Sequence, residues 1–234
     1  MASRAALELN RFPYVDKQTI TVLGRRFYEL SPELAYPSIT TVLGHTVPEE
    51  QKGWLTAWKN RVGETEAARV SKRATDRGTN MHLMLERYMR QEDPKVNEFP
   101  PEHVKLFNSL KVALNKVNTV YGQEVVLYSH DLGIAGRCDM IADYDGEIAI
   151  VDYKSSSRVK NKEDIEDYWA QCAFYAMAHN EMFGTKIELL VILMGVENKL
   201  PMVFKHRITD DLIIQLAERT GKFYDEMEQL AAKQ

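Results

Sequence analysis

Two acids and a lysine stand close together in segment 133–157, whose pattern predicts a β-hairpin with a tight turn at Asp145-Gly146. Side chains alternate between the two faces of a strand, so Asp152 and Lys154 point to the same side, roughly 7 Å apart. Pairing of the two strands would bring Asp139 of the first strand close to Asp152. The sequence therefore predicts two carboxylates and an ammonium group that converge at one end of a sheet.

These residue types suit phosphodiester chemistry. Carboxylate oxygens are the ligands that hard divalent cations prefer, so Asp139 and Asp152 are candidate ligands of Mg²⁺ or Mn²⁺. A protonated Lys154 does not bind a cation, but it can contact a phosphate oxygen or orient an attacking water. The alternative is an ordinary Asp–Lys ion pair at the end of a strand, and the D-x-K pattern alone does not exclude it.

The first hundred residues are expected to form helices that precede the hairpin. Segment 48–63 begins with proline and two acids, a pattern typical of a helix start. Trp54 and Trp58 share one face of this helix, and we interpret them as core residues rather than as a base-stacking surface. Segment 64–91 predicts one long helix, or two that meet at Gly78.

From residue 102 onward the predicted order is helix, three strands, helix, two strands and helix. The first helix is expected over 102–121 with Gly122 as its C-terminal cap, and the first strand over 123–128. This order predicts an α/β fold with a mixed central sheet flanked by helices. We assign residues 1–100 to a mainly helical N-terminal elaboration and residues 101–234 to the core, together in one compact unit.

Composition limits the kinds of function. The chain has 30 basic and 34 acidic residues, a formal charge of −4, so a polyanion is expected to bind in a groove rather than over the whole surface. Two cysteines are too few for a disulfide framework or a four-thiolate iron–sulfur cluster, and no Walker-type glycine-rich loop indicates ATP binding. No signal peptide and no apolar run of about 20 residues is apparent, so we expect a soluble cytoplasmic protein without a membrane partner.

A local excess of basic residues precedes the most informative helical turn. Between Lys59 and Arg77 there are six basic residues and three acids. This pattern is typical either of a solvated helix face or of a surface that contacts phosphates. In the next turns His82 and Glu86 lie four residues apart, and so on one face of the helix.

Four short motifs follow one another along the chain. They are Gly78–His82 (G-x-x-x-H) on a helix, Gly136–Asp139 (G-x-x-D) and Asp152–Lys154 (D-x-K) on strands, and Gln171–Tyr175 (Q-x-x-x-Y) on the next helix. In this order the chain resembles the PD-(D/E)XK nuclease superfamily, in particular its RecB-like exonuclease branch, which includes phage recombination exonucleases. The resemblance implies a restriction-endonuclease-like core.

The resemblance also implies roles for individual residues. The catalytic residues would be Asp139, Asp152 and Lys154. The metal ligands would be His82, Asp139, Asp152 and the carbonyl oxygen of Tyr153. Nucleic-acid contacts would come from Gln171, Tyr175, Ser155, Ser156, Arg73 and Arg77, with support of Lys154 as an alternative role for Gln171 and Tyr175. Glu86 and Glu124 compete as a further acid that supports the ligands or binds a second cation.

By the same resemblance the protein would be a Mg²⁺- or Mn²⁺-dependent DNA exonuclease that acts on single strands or strand ends in recombination, repair or replication. It would use neither an iron–sulfur cluster nor ATP, and a helicase, recombinase or single-strand-annealing protein would be a separate partner. Because the chain is short and has no ATP-binding motif, the resemblance suggests a phage protein that acts in a host cell. Two alternatives stay open: a structure-specific or nicking endonuclease, and a catalytically idle nucleic-acid-binding module.

Overall fold

The computed structural model describes residues 5–232, apart from the side chain of Gln51. The strands are β1 (Ala6–Leu7), β2 (Thr19–Val22), β3 (Arg25–Ser31), β4 (Leu34–Pro37), β5 (Val117–Ser129), β6 (Ile134–Tyr144), β7 (Glu147–Ser156), β8 (Leu189–Val196) and β9 (Met202–Arg207). The α-helices are α1 (Ile39–His45), α2 (Glu49–Val62), α3 (Glu64–Met89), α4 (Pro101–Leu114), α5 (Glu166–Phe183) and α6 (Asp210–Ala231).

The central sheet is mixed. Its six strands lie in the order β1-β5-β6-β7-β8-β9. The β1–β5 and β7–β8 pairs are parallel, and the other neighbours are antiparallel. Helices α1, α5 and α6 contribute to the hydrophobic cluster on one face, whereas α3 and α4 pack in the cluster on the other face. The predicted α/β fold, a mixed sheet flanked by helices, is therefore confirmed.

The predicted hairpin is formed by β6 and β7. Asp145 and Gly146 both have positive φ, 62° and 94°, as expected for the tight turn that matches the twist of antiparallel strands. Along β7, Ile150 packs in the cluster beside α5, while Val151 and Tyr153 pack in the cluster beside α3. The alternation predicted for this strand is therefore confirmed.

Strand β6 does not alternate regularly. Strict alternation predicts that Arg137 and Ile141 share a face, but Cys138 and Ile141 pack in the same cluster although three positions separate them. Met140 packs on the opposite face. The alternation changes between Cys138 and Met140, at Asp139, so the expectation for Arg137 and Ile141 is wrong.

The N-terminal region differs from expectation in two respects. Segments 19–23 and 26–30, whose pattern around Gly24 predicts a short β-hairpin, belong instead to a three-stranded sheet of β2, β3 and β4. Helix α2 is largely exposed, and Trp54 keeps 69% of its surface accessible, so the interpretation of Trp54 as a core residue is wrong. The apolar spacing did not identify core residues because α2 packs mainly against α3 rather than on the sheet.

Helix α3 is continuous and passes Gly78 without a break. Its buried residues Met81, Met84 and Leu85 lie in the same hydrophobic cluster as Val151 of the central sheet. The elaboration carrying the predicted histidine motif therefore packs directly on the core, and the division at residue 100 stays a prediction. No helix in the described part of the chain is long and apolar enough to cross a membrane.

The boundary between α4 and β5 is the clearest error in the predicted elements. The helix ends at Leu114 and the strand begins at Val117, so Gly122 lies within β5 and caps no helix. The β-branched residues in segment 117–120 favour a strand. At Gly122 a Cβ atom would lie 2.8 Å from the Tyr14 ring, so close packing explains this glycine.

Candidate active site

A cavity of about 690 Å³ opens where α3 and α5 approach the same end of the central sheet. Its lining includes His82 and Glu86 from α3, Glu124 and Asp139 from β5 and β6, and Gln171 from α5. The opposite wall comes from the small N-terminal sheet and α1. Residues of three of the four predicted motifs therefore line one cavity. They are Gly78 and His82, Gly136 and Asp139, and Gln171 and Tyr175.

Three side chains in this cavity form a candidate metal site. Ligand atoms of His82, Glu124 and Asp139 all lie within 4.8 Å of one another. Nδ1 of His82 is 3.5 Å from Oδ2 of Asp139, and that oxygen also accepts a hydrogen bond of 2.7 Å from the backbone N–H of Tyr153. The structure thus places Glu124, one of two residues competing for an accessory role, with the predicted ligands.

The pairing of β5 with β6 brings the two carboxylates together. Gln123 pairs with Met140 and Val125 with Cys138, so Glu124 and Asp139 face each other between them. Glu124 has a φ of +53°, in the left-handed region that residues other than glycine seldom adopt. Residues opposite each other in an antiparallel ladder carry their side chains on the same face, so this pairing brings both carboxylates towards His82 of α3.

The pKa values of these three side chains depend on their neighbours' charges. Burial alone would raise the pKa of Asp139, but His82, Lys154 and the backbone N–H of Tyr153 together lower it. Burial would likewise lower the pKa of His82, and the Asp139 carboxylate raises it above its ordinary value. Burial and the charges of Asp139 and Glu86 raise the pKa of Glu124 to about 7. A divalent cation would relieve the repulsion among these acids.

A second line of polar groups begins on β7. Lys154 Nζ lies 2.5 Å from Oδ2 of Asp152 and donates a 3.1 Å hydrogen bond to Gln171, whose amide donates a 3.0 Å bond to the Tyr175 hydroxyl. Lys154 Nζ also lies 5.0 Å from the Tyr168 ring centroid. Gln171 thus contacts Lys154 directly and Tyr175 contacts Gln171, while support of Lys154 and contact with nucleic acid both stay predictions for these two residues.

Burial and neighbouring charges shift the pKa values of Lys154 and Asp152. Burial alone would lower the pKa of Lys154, but the carboxylates of Asp152 and Asp139 raise it, so the lysine is protonated at neutral pH. Burial raises the pKa of Asp152 to about 6, although Lys154 opposes this. Asp152 is only 1% exposed, and its Oδ1 has no hydrogen-bond partner. An unpartnered buried carboxylate oxygen beside other acids fits a cation ligand.

The residues predicted to contact nucleic acid differ from one another in burial and in hydrogen-bond partners. Arg77 is 6% exposed, donates to Ser155 and pairs with Glu197 at 2.8 Å. Ser156 is buried and bonds to the backbone of Arg158, whereas the Arg73 side chain is 59% exposed. Of the two arginines, Arg73 is thus the more exposed, although its Nη2 lies 3.6 Å from Glu197. Arg77 joins α3 to β7 and the turn after β8.

The glycine of the G-x-x-D motif has a packing role. A Cβ atom at Gly136 would lie 2.8 Å from the ring of Tyr175 and 2.9 Å from the Ile39 side chain. The bare backbone lets α5 approach β6, and with it the Gln171 amide that contacts Lys154. For Glu124 no spacing within the chain could decide its role against Glu86, because its place opposite Asp139 depends on the register between β5 and β6.

These features match one family. A model described as the PD-(D/E)XK nuclease superfamily matches residues 54–229, and the chain belongs to this superfamily. Nucleases of this superfamily use divalent metal ions, in keeping with the cluster of His82, Glu124 and Asp139.

The chain is also similar to individual proteins named mitochondrial genome maintenance exonuclease 1. It is 25% identical to the Xenopus tropicalis protein over 185 residues, which cover 76% of this chain and 53% of that protein. It is 25% identical to the human protein over 173 residues, covering 70% and 50%. The chain thus spans about half the length of these relatives. A crystal structure from Eubacterium rectale, provisionally named an exonuclease, aligns with a TM-score of 0.46 at 15% identity, covering 67% of this chain and 66% of that one.

Proposed function

We propose that the protein is a Mg²⁺- or Mn²⁺-dependent deoxyribonuclease that hydrolyses phosphodiester bonds at DNA ends, with single strands as its main substrate. The observation that supports this most directly is one open cavity bordered by the cluster of His82, Glu124 and Asp139 and lying beside a protonated Lys154. Exonuclease names among the relatives agree with it. A role in recombination, repair or replication follows from this activity.

Different residues of the chain would bind the cation and contact the phosphate. His82, Glu124 and Asp139 would hold a divalent cation, with Asp152 and the Tyr153 carbonyl as further ligands. Such a cation would supply a water of lowered pKa and offset negative charge on the phosphate. Lys154, held between Asp152 and Gln171, would donate a hydrogen bond to a phosphate oxygen or orient the attacking water.

The DNA strand would approach along α2 and α3. Trp54 is 69% exposed, and among the described residues Lys59 and Arg61 form no ion pair. Exposed aromatic rings interleaved with cations suit base stacking and phosphate contact on single strands. Because α2 joins α1 on one cavity wall to α3 on the other, these helices would form an arch over the entrance.

End-labelled single- and double-stranded DNA tests this proposal when each is incubated with Mg²⁺, Mn²⁺ or a chelator. We expect metal-dependent release of short products from single-stranded ends, loss of activity in Asp139→Asn, and ordinary activity in Asp131→Asn, an exposed acid outside the cavity. Equal digestion by wild-type protein and Asp139→Asn would contradict the proposed site.

Circular single-stranded DNA separates the two enzymatic alternatives. An end-dependent enzyme leaves the circle intact, whereas a structure-specific or nicking endonuclease opens it. Absence of cleavage on every substrate, with DNA binding retained, would instead favour the idle module. The cytoplasmic or viral setting and a separate helicase, recombinase or annealing partner stay predictions.

A further inference from the structure

Arg137 links the N-terminal segment to the distorted backbone beside the candidate metal site. Its Nη2 donates a 2.6 Å hydrogen bond to Oδ1 of Asp16, and its Nη1 donates a 2.5 Å bond to the backbone carbonyl of Glu124. The residue also lines the cavity. One guanidinium fork is thus shared between an acid from a distant segment and the peptide group of a candidate ligand.

The carbonyl that accepts this bond belongs to a strained residue. Glu124 has a φ of +53° within a β-strand, and such left-handed positions cost on the order of 1 kcal/mol for residues with a Cβ atom. The conformation persists only where surrounding contacts determine it. Among the described hydrogen bonds, the side-chain contact that reaches the backbone of Glu124 is the one from Arg137.

The conformation of this residue decides where its carboxylate lies. Glu124 faces Asp139 across the β5–β6 ladder, and its carboxylate reaches the group that includes His82. If the backbone relaxed to the ordinary negative φ of a strand, the direction of the Cα–Cβ bond would change and the carboxylate would move relative to His82 and Asp139. The position of the carboxylate therefore depends on what holds the backbone.

We propose that Arg137 is a positioning residue, oriented by Asp16, that holds the Glu124 backbone in the conformation that places its carboxylate with His82 and Asp139 around a divalent cation. This inference rests on the proposed function, because it assigns a role within the same site. Nη1 and Nη2 of Arg137 both donate to acceptors within the protein, so its task is to shape the ligand set. Residues near the N-terminus of the chain thereby influence metal affinity.

Direct Mn²⁺ titration of the metal-free protein by calorimetry tests the role of Arg137. We expect Arg137→Gln to weaken Mn²⁺ binding about 10-fold or more, since removing a residue that orients a metal ligand has effects of this size. Asp16→Asn should weaken binding by less, because Arg137 keeps its bond to the Glu124 carbonyl. Arg25→Gln is the matched control: Arg25 donates to the carbonyl of Leu23, another residue with positive φ, away from the cavity.

A double-mutant cycle shows whether the effect passes through Glu124. In a Glu124→Ala background, Arg137→Gln should cause little further loss of Mn²⁺ affinity. Equal losses in both backgrounds, or wild-type affinity in both Arg137→Gln and Asp16→Asn, would overturn the proposal. Should Arg137→Gln fail to fold, Asp16→Asn decides alone, because Asp16 is an exposed residue whose change leaves the core intact.

The wild-type protein separates this inference from the proposed function. Wild-type Mn²⁺ binding that depends on Arg137, without DNA digestion, would support the positioning role and contradict the nuclease proposal. Metal-dependent digestion with Mn²⁺ binding indifferent to Arg137 would do the reverse. Absence of Mn²⁺ binding by the wild-type protein would overturn both.

Discussion

Two histidines in polar surroundings show how differently this molecule uses the same side chain. His82 lies in the open cavity, and the Asp139 carboxylate raises its pKa against the effect of burial. His179 is completely buried elsewhere, and burial lowers its pKa to about 4. The surroundings of His82 favour a charged ring that can exchange its proton for another ligand, whereas those of His179 favour a fixed neutral ring.

The hydrogen bonds explain the contrast. The Tyr14 hydroxyl donates to Nε2 of His179, while Nδ1 donates to Thr185, which in turn donates to Asn180. Every polar atom of that histidine is satisfied, and the network ties the N-terminal segment to α5. Beside the cavity, by contrast, a buried oxygen of Asp152 has no hydrogen-bond partner. Closed networks stabilise a fold, and open ones leave coordination capacity for a ligand.

The largest expected effect is on activity. His82→Gln should lower metal-dependent DNA hydrolysis about 100-fold or more, since a weakened metal site forfeits several kcal/mol of transition-state stabilisation. The free energy of unfolding should change by less than about 1 kcal/mol, because this side chain is partly exposed. Kinetics and urea unfolding of the metal-free variant check both statements. A large loss of stability with activity retained would contradict the contrast drawn between His82 and His179.

The converse change is His179→Ala. Loss of a fully buried, doubly hydrogen-bonded ring should destabilise the protein by about 3 kcal/mol. Activity per folded molecule should stay close to wild type at low temperature. His130→Ala, at an exposed histidine, should change stability by no more than about 0.5 kcal/mol. Urea unfolding measures the difference, and equal effects of the two changes would contradict the closed-network interpretation.

Acid should act on the His179 network. Because folding lowers the pKa of His179 from 6.5 to about 4, the neutral ring contributes stability that is fully present above pH 6.5. This contribution is lost as pH falls towards 4, and amounts to roughly 3 kcal/mol. His179→Gln should flatten this part of the stability–pH curve, as measured by urea unfolding between pH 4 and 7.5. An unchanged slope would contradict the assignment.

The smallest effect concerns the support of the lysine. Gln171→Leu removes the amide between Lys154 and Tyr175 and should lower kcat about 10-fold, the cost of one well-placed hydrogen bond. Tyr175→Phe keeps the ring against Gly136 and should cost less. Single-turnover kinetics measure both variants. A larger loss in Tyr175→Phe than in Gln171→Leu would show that the hydroxyl, not the amide, supports the site.

Local patterns were sufficient where structure is locally determined. The turn at Asp145-Gly146, the shared face of Asp152 and Lys154, and the long helix bearing His82 follow from turn chemistry, strand alternation and helical periodicity. The order of the four motifs indicated the family. These features depend on residues near one another in the chain, so one sequence carried enough information to predict them.

Tertiary structure decided the rest. The strand–helix boundary near Val117 depended on pairing with β6, and the exposure of Trp54 depended on where α2 found a partner. The place of Glu124 beside Asp139 depended on the register between β5 and β6, and a guanidinium from β6 contacts the Glu124 backbone there. Such features arise from contacts between distant segments, and local propensity contains no record of them.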